Sequence, residues 1–277
     1  MQTTSANKPH PGRARCPSHF RASNTGGRSD PHASASFVSP RAADHAPEAR
    51  FAPPFIGREK ELARLDRLLT TRQSALILGP AGVGKTALLV RLKLQCDFLL
   101  CPQADRLAAI CECLEAQLGL NPDDLRLVRR KNRVLQALAE AKRPVVFDGV
   151  GWTTPRLASF LEGVMARVPV WIATRSEHSW DIGHVWPLLH RVERVELHPF
   201  HLAETRELVA ATVAAGLIPR EAANIVEWLH HRSQGSPLVL RELFAELAAH
   251  SYDLSQPSAL RRLDLDRRIH ELFPQGP

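Results

Sequence analysis

The residues whose types and spacing could do chemistry stand together in one octet, Gly79-Pro80-Ala81-Gly82-Val83-Gly84-Lys85-Thr86. It fits the pattern G-x-x-x-x-G-K-[ST] in full. Glycines let a backbone curl until successive N–H groups point inward at phosphate oxygens. A helix that begins where the loop ends adds its N-terminal partial positive charge. The Lys85 ammonium can then reach the β- and γ-phosphates of a nucleotide, and the Thr86 hydroxyl can ligate Mg²⁺. The flanks agree with this reading. "SALILG" (74–79) is a short apolar strand, and "KTALLVRLKL" (85–94) has helical periodicity, with Ala87 in its first turn counted among the phosphate-binding positions. Spacing alone does not choose between ATP and GTP.

The elements that must hold this loop can be read around it. "FIGREKELARLDRLL" places Leu62, Leu65, Leu68 and Leu69 at helical spacing. Further apolar strands are predicted at 96–102, 143–150, 169–176 and 191–200. Helices are predicted near 104–118, 123–141 and 155–166. Strands that alternate with helices, and are apolar along their whole length, predict a parallel five-stranded sheet covered on both faces. After Phe200 the strands stop. Residues 203–215, 219–233, 236–249 and 257–273 all predict helices, with a proline near three of the starts. The expected organisation is an α/β nucleotide-binding domain over 51–200 and a small all-α domain over 201–277.

Residues 1–50 have another texture. They are rich in Pro, Ser, Arg and Gly and nearly devoid of Leu, Ile and Val, so they cannot bury enough apolar surface to offset their ordering entropy. A disordered basic tail is expected; its Arg and Ser content is that of a transit peptide, but Pro and Gly break an amphipathic helix. A mistaken upstream start codon fits equally. The tail holds seven Lys/Arg against three Asp/Glu, so it carries more than half of the formal net charge of +7. The rest is too nearly neutral to argue for a nucleic-acid groove. Five cysteines have no CxxC pairing and read as reduced core thiols. No apolar run reaches membrane-spanning length, and a cytoplasmic protein is expected.

Four separated stretches carry a family resemblance. "FIGREKELARL" (55–65) resembles the box that opens AAA+ ATPases of the origin-recognition type and their STAND relatives, the signal-transduction ATPases that include NACHT and NB-ARC proteins. "WIATRS" (171–176) is similar to the STAND sensor-1 strand. "VELHPFHLAETRELV" (195–209) is similar to the last core strand and first lid helix, and "GSPLVLREL" (235–243) to the lid motif G-x-P-L. The resemblance implies a P-loop NTPase fold with a helical lid, and ATP and Mg²⁺ as ligands. It implies that Phe55 and Ile56 lie near the adenine, that Arg58 and Glu59 brace the hinge, and that Asp148 binds Mg²⁺ through water as the Walker B aspartate. It further implies that Arg175 is the sensor-1 arginine near the γ-phosphate and that Pro237 covers the base. Arg191, in "LLHRVERVEL" (188–197), matches the place of an arginine that reaches a neighbouring subunit's site in many AAA+ proteins.

One departure matters. Walker B strands usually end in Asp-Glu or Asp-Asp, and NACHT strands in D-G-x-D-E. Here Asp148 is followed by Gly149, Val150, Gly151 and Trp152. The acid that would orient the attacking water is missing, so binding is expected with slow hydrolysis, unless a carboxylate elsewhere, such as Glu177, substitutes. Three functions stay open: a nucleotide-dependent switch acting with a protein partner or as a homo-oligomer, a DNA-associated AAA+ ATPase, and a degenerate paralogue with a structural role.

Overall fold

The computed structural model describes residues 53–121 and 126–272 of the chain. The expected basic tail lies outside them. Each apolar run forms a strand: β1 (Ala75–Leu78), β2 (Leu99–Cys101), β3 (Val145–Val150), β4 (Val170–Thr174) and β5 (Glu193–Glu196). They pair in parallel in the order β2-β3-β4-β1-β5. Successive side chains of a strand point to opposite faces, and in β1 to β4 both sets are largely apolar, whereas the edge strand β5 buries only Val195. Leu76, Leu99, Val145, Phe147 and Ile172 meet residues of α3 (Leu107–Gln117), α4 (Leu127–Ala141) and α5 (Pro155–Met165) on one face. Ala75, Ile77, Val146, Trp171 and Ala173 meet α1 (Glu59–Thr70) and α2 (Lys85–Lys93) on the other. Helices on both faces are what a sheet without a polar face requires.

Two further stretches depart from the sequence expectation. Between β4 and β5 lie two one-turn helices, α6 (Ser179–Ile182) and α7 (Trp186–Leu189). Four residues are too few to display a helical period. They are held by tertiary hydrogen bonds instead. The buried Thr153 donates from its backbone N (3.0 Å) and its Oγ1 (2.5 Å) to the Ile182 carbonyl, and its Oγ1 accepts from the Val185 amide at 2.9 Å. The expected helix at 219–233 divides into a 3-10 segment (Arg220–Ile225) and α9 (Val226–Ser233). With α8 (Leu202–Ala214), α10 (Pro237–Ala249) and α11 (Pro257–Leu272), these build a separate core from Phe200, Leu208, Leu229, Leu240, Phe244 and Leu263.

Arg58, just before α1, joins these parts. Its guanidinium is 5% exposed. It donates to the carbonyls of His198 (2.6 Å) and Val83 (3.3 Å) and to Glu61 (3.1 Å), and lies 4.8 Å from the centre of the Phe200 ring. The phosphate loop, the exit from β5 and the C-terminal core are thus tied to one cation. Gly235 closes the same junction. Its carbonyl accepts from the Phe200 amide at 2.8 Å, and a Cβ there would stand 2.2 Å from the Phe200 carbonyl oxygen.

A second buried ionic cluster joins α3 to α4. Glu115 accepts from Arg130 (2.6 Å) and Arg133 (2.9 Å). The Arg130 hydrogen bond, helped by Arg133 and opposed by burial, holds the Glu115 carboxyl below its ordinary value of 4.5. A carboxyl depressed in the folded state contributes stability above its unfolded pKa and loses it as pH falls through the folded one. Glu115→Gln is therefore expected to cost about 1–3 kcal/mol at pH 7 in urea unfolding, since the acceptor is charged. The difference should shrink as pH drops below 4.5. A cost that stays constant into acid would assign the effect to packing. Arg58→Ala is expected to cost about 2–4 kcal/mol, for lost hydrogen bonds from a charged donor and orphaned carbonyls. Faster proteolysis between β5 and α8 would report the loosened junction.

Candidate nucleotide-phosphate site

The octet folds as a loop between β1 and α2, at the carboxyl end of the sheet where open α/β sheets bind ligands. Its glycines have different reasons. Gly84 takes φ 98° at the N-cap of α2, with no atom within 4 Å of where a Cβ would be, so the loop opens onto free space there. Gly79 is needed for closeness: a Cβ would stand 2.6 Å from the Leu197 carbonyl oxygen, where β5 leaves the sheet. Lys85 Nζ donates to the carbonyls of Gly79 (2.5 Å) and Pro80 (2.9 Å). Burial lowers the Lys85 pKa; Asp148 opposes that shift and Arg175 adds to it. Arg175 and Asp148 are thus both within electrostatic reach of the loop lysine.

Asp148 is buried. The strand runs to Val150, as the predicted strand over 143–150 does, but across an irregularity. Phe147 pairs with Ile172 and Val150 with Thr174, leaving Asp148 and Gly149 out of register. Gly149, at φ 69°, supplies the left-handed step of this bulge. Asp148 Oδ1 accepts from the Gly149 amide at 2.8 Å, and Oδ2 accepts from Thr86 Oγ1 at 2.6 Å. A hydroxyl and a carboxylate oxygen converging beside the loop are the hard donors that Mg²⁺ selects. These two residues fit the ion.

The loop, β3 and β4 open into a cleft of about 1110 Å³. It is lined by Phe55, Ile56, Ala81 to Ala87, Asp148, Arg175 and Pro237, so most of the residues expected from the sequence share one wall or another. Gly79 and Pro80 stand behind the loop and do not line it. Arg191 does not line it either; it is exposed two residues before the edge strand β5. Glu177 is also outside, paired with Arg194 at 2.6 Å. Two charged residues that the sequence reading missed do line it. Arg241 comes from α10, and its place four residues after Pro237, on the same helical face, was the available signal. Asp181 comes from α6, an element with no sequence signal. The C-terminal helices touch the loop directly: the Gly82 carbonyl accepts from the Leu238 amide (3.1 Å) and from Ser236 Oγ (3.4 Å).

No family model matches the sequence, and no curated protein matches it. Solved structures do. The Orc1 protein of Aeropyrum pernix, solved in complex with DNA, superposes with a TM-score of 0.59 at 14% identity, over 82% of this chain and 70% of that one. A Walker-type ATPase of Pyrococcus abyssi superposes with a TM-score of 0.55 at 17% identity, over 80% of this chain and 74% of that one. Identities this low speak for architecture, and the chain has the fold of the AAA+ P-loop ATPases.

Proposed function

We propose that the chain is an ATP-binding switch of the AAA+/STAND kind that hydrolyses ATP slowly. The observation that carries this is the position of Gly82. One residue lies in the phosphate loop and also accepts hydrogen bonds from the start of α10. A ligand that orders the loop therefore biases the helices attached to it, which is the differential contact a switch requires. Lys85 and the loop amides would hold the phosphates, and Thr86 and Asp148 the Mg²⁺. Phe55, Ile56 and Pro237 would enclose the base, and Arg175 would meet the γ-phosphate. Bound Mg²⁺ supplies charge neutralisation between the β- and γ-oxygens. Arg191, exposed beside an edge strand, would act only toward a second copy of the chain, so a homo-oligomer or a protein partner belongs to this reading. Among the described residues no helix is long and apolar enough to cross a membrane, and a cytoplasmic location is part of the proposal.

Slow turnover follows from β3. The positions after Asp148 carry Gly149, Val150 and Gly151, none of which can take a proton. Losing a positioned base typically costs about 10²–10⁴-fold.

A DNA-associated ATPase is the second reading, favoured by the likeness to a protein solved on DNA. The C-terminal helix does not support it as a DNA reader. In α11, Arg267 pairs with Glu242 and Glu271, Arg268 with Asp264, and Arg262 with Asp266, so these cations already have carboxylate partners. The expected result of equilibrium titration is Mg²⁺-dependent ATP binding that falls at least about tenfold in Lys85→Ala, given a lysine that contacts two phosphates. Turnover of many ATP per minute that vanishes in Lys85→Ala would sink the slow switch. A salt-sensitive mobility shift on duplex DNA, lost on deleting residues 1–50, would favour the second reading.

A further inference from the structure

We propose that Asp181 is the catalytic carboxylate of this cleft, the base that orients the attacking water and takes its proton in place of the acid that β3 lacks. The inference rests on the reading of the cleft as an ATP site. Two carboxylates line the cleft among the described residues, Asp148 and Asp181. Asp148 is committed: one oxygen accepts from Thr86, the other from the Gly149 amide. The Asp181 side chain is exposed and makes no ion pair or hydrogen bond among the described residues, so its oxygens are available to a water.

Its position is built rather than accidental. The missing acid would stand within the three residues after Asp148. The chain there runs through Gly149, Val150 and Gly151, which line the cleft, to Thr153. Thr153 donates twice to the carbonyl of Ile182, the neighbour of Asp181, and pairs with Gly183 in an isolated parallel bridge. A Cβ on Gly183 would stand 2.6 Å from the Thr153 carbonyl oxygen, so the approach is close enough to require glycine. The one-turn helix α6 is thereby fixed against the stretch of β3 that carries no acid, and it brings a carboxylate with it. Arg175, just after β4, lines the same cleft. Glu177, the substitute expected from sequence, is held by Arg194 instead.

The step balances without another reactant. The water oxygen forms a bond to the γ-phosphorus. The bond from that phosphorus to the β–γ bridging oxygen breaks, and its electron pair leaves on ADP. The water proton passes to the Asp181 carboxylate and from there to phosphate or solvent.

The test uses the full chain, with Mg²⁺-dependent binding of a non-hydrolysable ATP analogue and single-turnover hydrolysis of ATP measured side by side. Asp181→Asn is expected to slow hydrolysis about 10²-fold or more, with analogue affinity kept within about twofold, as for a contact made only in the transition state. Asp181→Glu, which keeps a carboxylate on a longer arm, is expected to recover part of the rate. Glu177→Gln is expected to leave both quantities unchanged. Three outcomes overturn the proposal: Asp181→Asn hydrolysing like the wild type, Asp181→Asn raising the Mg²⁺ needed for binding, which would make the residue a metal ligand, or a wild type that holds ATP and never cleaves it. A wild type that fails to bind the analogue at all would instead overturn the ATP-site reading, and the proposal with it.

Discussion

The buried Arg58 guanidinium is the constraint on which the arrangement of this chain depends. An arginine is always charged and presents five donors in a rigid fork. Taking it out of water is costly unless those donors are used. The chain has few ways to use them here. The carbonyls of Val83 and His198 come from two separate places, the phosphate loop and the exit of β5. The face of the cation is covered by Phe200, the first aromatic of the C-terminal core. Satisfying one cation therefore ties the phosphate loop to the exit of β5 and seats the Phe200 ring against both. The phosphate loop is positioned from behind by this contact and by the crowding at Gly79. Its other side, at Gly84, faces open space.

The same economy of contacts explains how a loop event can reach the helices. Gly82 presents its carbonyl to Ser236 and Leu238, and Gly235 receives the Phe200 amide. Both glycines have positive φ and both face backbone or side-chain atoms within 3 Å of a Cβ position. At Gly235 the approach is backbone to backbone, so no rotamer absorbs a displacement there; at Gly82 the facing atoms belong to Ser236 and Leu238. Under the proposed switch, a shift in the phosphate loop would be passed to the start of α10, the helix from which Pro237 and Arg241 line the cleft. Coupling of this kind needs a two-state element that both ends bias, and α10 touches both the cleft and the C-terminal core.

Much of this could be read from sequence, for physical reasons that differ between elements. The strands were legible because a sheet buried on both faces leaves unbroken apolar runs. The octet was legible because phosphate binding tolerates so few residue types at those spacings. What escaped shares one property: it is fixed by contacts far away in sequence. The bulge at Asp148 and Gly149 depends on the register with β4. The helices α6 and α7 depend on Thr153 and are too short to have a period. Arg58 carried a role through resemblance, but its partners at Val83 and His198 could not be found by any local pattern. Arg191, expected by resemblance to act on a neighbouring subunit, lies outside the cleft of its own chain.

The stretch after Asp148 brings these strands of reasoning to one point. Replacing an acid by Gly-Val-Gly does more than remove a proton acceptor. Gly149 allows the bulge at which both Asp148 oxygens find partners, and the chain runs on through Gly151 to Thr153. Thr153 then holds α6. The two carboxylates that line the cleft are thus held very differently: Asp148 is buried and accepts from two donors, whereas Asp181 sits on one exposed turn.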